Sequence, residues 1–100
     1  ITREISLIEN AWERLSTNGA VAYGAEDLMK AMNEGAIETL LISADLLRAE
    51  NERIGKQTWQ EWVNGLSDIG AELVQCSIDH DAGQQLLGLG GVVALLRYTM

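Results

Sequence analysis

Ser77, Asp79, His80 and Asp81 fall within five positions, and His80 is the only histidine of the chain. These are the side-chain types of a serine hydrolase or of a metal centre. A triad needs a serine hydrogen-bonded to a histidine that a carboxylate orients. Adjacent residues project in different directions, so nearness in sequence does not supply that geometry. A zinc site takes three or four ligands, and the chain offers one His and one Cys. The simpler reading is a polar turn from strand to helix, with Asp81 capping the helix that follows. Gly88, Leu89, Gly90 and Gly91 form the second chemical candidate, a phosphate loop. A dinucleotide fingerprint follows a strand and opens a helix; this stretch follows a helix and opens a strand, and it carries no lysine. A tight turn explains it. Cys76 lies in an apolar stretch beside Val74 with no cationic neighbour, which fits a buried, inert thiol. The residues therefore imply no catalytic centre, no metal and no cofactor.

The elements that position these residues are led by GGVVALLRY, positions 90–98. Five apolar residues in a row, Val92–Leu96, follow a double glycine and stop at Arg97. A half-buried strand alternates polar and apolar residues, whereas an unbroken run marks a strand covered on both faces. This run is predicted to be the central strand, with helices above and below it. Upstream, Ile5, Ile8, Ala11, Trp12 and Leu15 recur at helical spacing over 3–16. Ser6 and Glu9 have capping-box spacing and predict a restart of that helix at Ser6. A short strand is expected over 20–23. A helix then presents Ala25, Leu28, Met29 and Met32, and Gly35 stops it. A second buried strand covers 37–43, a helical turn 45–48 and a polar loop 49–53. Trp59, Trp62, Val63, Leu66 and Ile69 share one helical stripe that ends at Gly70. A third strand covers 72–78 and a short helix 82–87. Strands alternating with helices argue for one α/β domain over 1–100 with helices on both faces of one sheet.

Composition narrows the function. The chain of 100 residues has an apolar fraction of 47% and no run near the ~20 apolar residues of a membrane-spanning helix. Its start, ITREIS, is neither a signal peptide nor an initiating segment, which predicts a piece of a longer protein. One cysteine points to a reducing, cytoplasmic compartment. Seven basic residues against fifteen acidic ones give a net charge of −8, and the basic ones are scattered. Phosphate binding takes clustered Lys and Arg. A protein partner is expected, and neither nucleic acid nor membrane. From the residues alone, an interaction module is favoured over an enzyme.

Two stretches carry a family resemblance. VAYGAEDLMKAMNEGAIETLLIS (21–43) resembles part of the third domain shared by Pelota proteins and class-one release factors of archaea and eukaryotes. There the pattern runs V-A-Y-G, an acidic helix, then G-A-[VI]-E-T-L-L-I-S. SIDHDAGQQLLGLGGVVALLRY (77–98) is similar to the same family's acidic-His-acidic turn followed by G-x-G-G-[IV]-x-A-[IL]-L-R-[YF]. The Asp79-His80-Asp81 turn looks like the Pelota branch. So does the short link over 47–57, where release factors commonly carry an insertion.

The resemblance implies an α/β/α sandwich with a four-stranded mixed sheet in order 1-4-2-3, strand 4 antiparallel, as in ribosomal proteins that bind kink-turn RNA. It also implies a non-enzymatic docking domain of a ribosome rescue factor, acting in no-go mRNA decay. The implied partners are a GTPase of the elongation-factor-1-alpha type, an ABC-type recycling ATPase and, through the full-length protein, the ribosome. The implied contacts are Trp12 on the first helix, Leu89 in the glycine turn, and Arg97 with Tyr98 at the end of the last strand. Leu89 is hard to bury on such a turn, and Arg and Tyr are good anchors. Trp12 lies on the core stripe, where packing explains it equally well. The alternatives are a release-factor third domain and a stand-alone RNA binder of the same fold, the latter opposed by the charge of −8.

Overall fold

The computed structural model describes residues 2–17, 19–49, 51–77, 79 and 81–99. Its first element, α1 (Thr2–Ser16), is an unbroken helix. The capping-box spacing at Ser6 does not restart it, because Ser6 is exposed in mid-helix with helical turns on both sides. A two-residue strand β1 (Val21–Ala22) follows. Then come α2 (Ala25–Asn33), β2 (Ile37–Ser43) and α3 (Ala44–Arg48). In α2 the buried residues are Leu28 and Ala31, whereas Ala25 is exposed and Met29 and Met32 are half-buried. The inward stripe is thus rotated toward Ala31, and the long flexible Met side chains fill its margins.

The polar loop expected over 49–53 leads into a small hairpin, β3 (Arg53–Ile54) paired antiparallel with β4 (Gln57–Thr58). Ile54 is fully buried and anchors it. The tryptophan stripe divides into a short helix α4 (Trp59–Val63) and a 3₁₀ helix over Asn64–Ile69. Thr58 opens α4 with a capping box: its hydroxyl accepts the Glu61 N–H, and the Glu61 carboxylate accepts the Thr58 N–H. Trp59 and Trp62 meet edge to face, with ring centroids 5.8 Å apart. The chain closes with β5 (Glu72–Cys76), α5 (Asp81–Leu87) and β6 (Val92–Leu96). The strand expected over 72–78 ends at Cys76; Ile78 and His80 lie outside the described residues. Asp81 is the first helical residue of α5 rather than its cap.

The main sheet has the order β1-β6-β2-β5, which is 1-4-2-3 counted along its own strands. β6 is antiparallel to both β1 and β2, and β5 is parallel to β2. All five β6 residues are buried, so the unbroken apolar run is the axis of the sheet. Its side chains divide between two cores as the two-residue period demands. Val92, Ala94 and Leu96 face a core with α2, α3, α4 and the hairpin. Val93 and Leu95 face a second core with α1 and α5. The result is an α/β/α sandwich.

A register shift between Ile37 and Thr39 lets β2 place both Ile37 and Leu40 in the first core while Glu38 stays in solvent. α1 is pinned at opposite edges of the sheet. Arg3 pairs with Glu72 of β5, and Arg14 donates to the Ala20 and Leu96 carbonyls at 3.0 and 3.2 Å beside β1. No helix among the described residues is long and apolar enough to cross a membrane.

Candidate docking site

The glycine turn is built by α5 running out of helix at Leu87. The Leu86 carbonyl accepts the Leu89 N–H at 2.9 Å and the Gly91 N–H at 3.0 Å, while Leu87 O accepts from Gly90 at 3.0 Å. Gly90 and Gly91 take φ of 89° and 87°, which L residues rarely adopt. Gly91 is also sterically required. A Cβ there would lie 3.2 Å from the Ser43 hydroxyl and 3.4 Å from Leu46. Its carbonyl accepts the Ser43 N–H at 2.8 Å, tying the turn to the end of β2.

This turn holds Leu89 half-buried against the second core and leaves Leu87 42% exposed. Tyr23, 47% exposed, follows β1 at the same end of the sheet, since Ala22 pairs with Ala94 and the strands are antiparallel. Leu87 and Tyr23 are not among the contacts expected from the sequence. A signal existed for the first: Leu86 and Leu87 are adjacent at a helix end, and only one of them reaches the sheet. For Tyr23, the brevity of β1 decides, because a strand of two residues leaves the third outside its cover.

Trp12 is half-buried and packs against the same second core. Its indole Nε1–H is buried without a hydrogen-bond partner, a state that costs about 1–3 kcal/mol. Trp12 and Leu89 therefore share one core. Arg97 and Tyr98 do not join them. They lie past the far end of β6, roughly 20 Å of extended chain from Gly91. Arg97 is exposed, and its guanidinium donates to the Ile69 carbonyl at 2.7 Å, closing the 3₁₀ helix. Its backbone N–H donates to Ala36 O at 2.8 Å. Tyr98 is 48% exposed.

Of the catalytic candidates, Ser77 and Asp79 follow β5 at the same end of the sheet as the glycine turn. The Asp79 N–H donates to the Ser77 hydroxyl at 3.2 Å, a local polar turn, and Cys76 is buried at 2% exposure. Among the described residues no group of three His, Cys, Asp or Glu is placed to hold a metal. A cleft of about 450 Å³ opens at the carboxyl ends of β2 and β5. Its single guanidinium, Arg48, is paired with Asp45 at 3.1 Å, and Asp79 adds a further carboxylate. Among the described residues it holds no free cation to cradle a phosphate.

The sandwich, its 1-4-2-3 sheet and the glycine turn define a release-factor-type third domain. A sequence model of eRF1 domain 3 matches residues 1–100, and the chain belongs to that family. Within it the likeness is to Pelota. The chain is 40% identical over 100 residues to a pelota homologue of Methanococcus maripaludis strain C6, covering all of this chain and 27% of the relative. It superposes on Archaeoglobus fulgidus Pelota with a TM-score of 0.84 at 31% identity, over 97% of this chain and 30% of that one. A ribosome-bound archaeal Pelota, described together with ABCE1, matches at TM-score 0.79 and 35% identity, over 98% of this chain and 27% of that one. The chain thus spans about a quarter of the length of the curated relatives it matches.

Proposed function

We propose that this chain is the partner-docking domain of a Pelota-like ribosome rescue factor, without catalytic activity of its own. It docks a translational GTPase of the elongation-factor-1-alpha type and an ABC-type recycling ATPase, while the ribosome is engaged through the rest of the protein. The observation that carries this reading is the apolar rim at the glycine turn: Leu87 and Tyr23 stand in solvent and Leu89 stands half out. A net charge of −8 turns nucleic acid away from that rim. The likeness to a ribosome-bound Pelota described with ABCE1 supports the ATPase as a partner.

Leu89 and Leu87 act as the apolar anchors, with Tyr23 beside them. Trp12 stiffens the core from which Leu89 projects. Tyr98 makes a second contact at the far end of β6, and Arg97 offers the donors that Ile69 leaves unused. A standard interface buries ~800 Å² per partner, roughly 30 Å across, so both ends of β6 fit under one footprint. Calorimetric titration of the chain with the GTPase tests this. Leu89→Ala is expected to weaken binding by about 1–3 kcal/mol with a small change in melting temperature. Unchanged affinity with a lowered melting temperature would make Leu89 a core residue and move the docking surface elsewhere.

A further inference from the structure

The two edges of the main sheet are unequal. β1 exposes only two residues, and a very short edge strand offers little for another chain to pair with. β5 is five residues long and pairs with β2 in unbroken register from Glu72 to Cys76. It lacks three of the usual edge defences: it has no proline, no lysine and no register shift. Its one charged side chain, Glu72, is already engaged by Arg3. Glu72, Leu73 and Gln75 are exposed, and Leu73 is an apolar side chain at 37% exposure. Among the described residues, the N–H groups of Leu73, Val74 and Gln75 make no hydrogen bond outside the β2 ladder. Half of the main-chain groups of an edge strand point outward, and their natural complement is another extended backbone.

We propose that β5 is a strand-addition site, accepting an extended segment of a protein partner that alternates basic and apolar residues. This goes beyond the glycine-turn reading and uses a different edge of the molecule. The alternation follows from the two-residue period, which brings every second side chain of an added strand to the face of Leu73. The basic residues follow from charge: Asp79 lines the carboxyl end of β5 with Gln75 and Ser77, the Arg48 guanidinium there is already paired with Asp45, and the whole chain carries −8. Pairing two copies edge to edge would bring two such chains together, so the occupant is a different protein.

The probe is a short capped peptide of alternating lysine and valine, compared with the same peptide N-methylated on every second amide. Amide hydrogen exchange of this chain, read by NMR, reports the site. Alternate amides within β5 are expected to slow by about tenfold or more with the first peptide, and not with the second. Three results would overturn the proposal: equal binding of the methylated peptide, which makes the attraction charge alone; no β5 protection at millimolar peptide; or β5 protection that rises with protein concentration in the absence of peptide, which makes the occupant a second copy.

Discussion

Replacing Gly91 by alanine should destabilise the protein more than replacing Gly90, although the two are adjacent and share nearly the same backbone angle. Both have φ close to +90°, at 89° and 87°. A Cβ in that region costs about 1–2 kcal/mol at either position. At Gly90 the added methyl meets nothing within 4 Å, so that is the whole cost. At Gly91 it lies 3.2 Å from Ser43 Oγ, which caps α3 by accepting the Leu46 N–H at 3.2 Å. The hydroxyl must give by a few tenths of an ångström, which weakens its cap of α3; complete loss of an N-cap costs about 1 kcal/mol. For a chain of 100 residues, ~1 kcal/mol corresponds to about 4–8 °C in melting temperature. Gly91→Ala should therefore melt below Gly90→Ala, by up to about that much, by circular dichroism. In a Ser43→Ala background the gap should shrink, because the cap is already gone. Equal melting temperatures for the two single variants would refute the argument that the turn is clamped on β2 through Ser43.

The remaining predictions concern single groups. Arg97→Ala should lower stability by about 1 kcal/mol through loss of its bond to the Ile69 carbonyl, read as denaturant midpoint at unchanged slope; an unchanged midpoint would leave the residue free for a partner alone. Hydrogen bonds from the Thr58 N–H and hydroxyl hold the Glu61 carboxyl below its ordinary pKa. Its contribution is thus present above the ordinary glutamate range and is lost as pH falls through the lower folded value. The melting-temperature difference between wild type and Glu61→Gln should be present at neutral pH and vanish in acid, and a difference independent of pH would contradict the assignment. Cys76, at 2% exposure, should react with a thiol reagent only on unfolding; rapid labelling of native protein would place β5 or its cover wrongly.

Much of the architecture was legible because burial on both sides writes itself as an unbroken apolar run. Val92–Leu96 announced the central strand, and Leu40, Leu41 and Ile42 announced its neighbour. The β3–β4 hairpin was not legible, since two-residue strands of mostly polar residues carry no period and only Ile54 is buried. Nor was the passage of the Trp59 stripe into a 3₁₀ helix, because the i, i+3 spacing of Val63, Leu66 and Ile69 keeps one face in either kind of helix. Leu89 stood out as an apolar residue stranded among glycines. The exposure of Tyr23 and Leu87 depends on where β1 and α5 stop, which propensity leaves undecided. The bond from Arg97 to Ile69 spans 28 residues of sequence and leaves no local trace.

Docking through the glycine-turn end of the sandwich would leave a footprint of the bound GTPase on this chain. Amide hydrogen exchange of the complex against the free chain would map it. Protection is expected over 87–91 and at Tyr23, with weaker protection at Tyr98, and an unchanged face over α2, α4 and the β3–β4 hairpin. Protection confined to that hairpin face, with 87–91 exchanging as in the free chain, would contradict docking at the glycine turn.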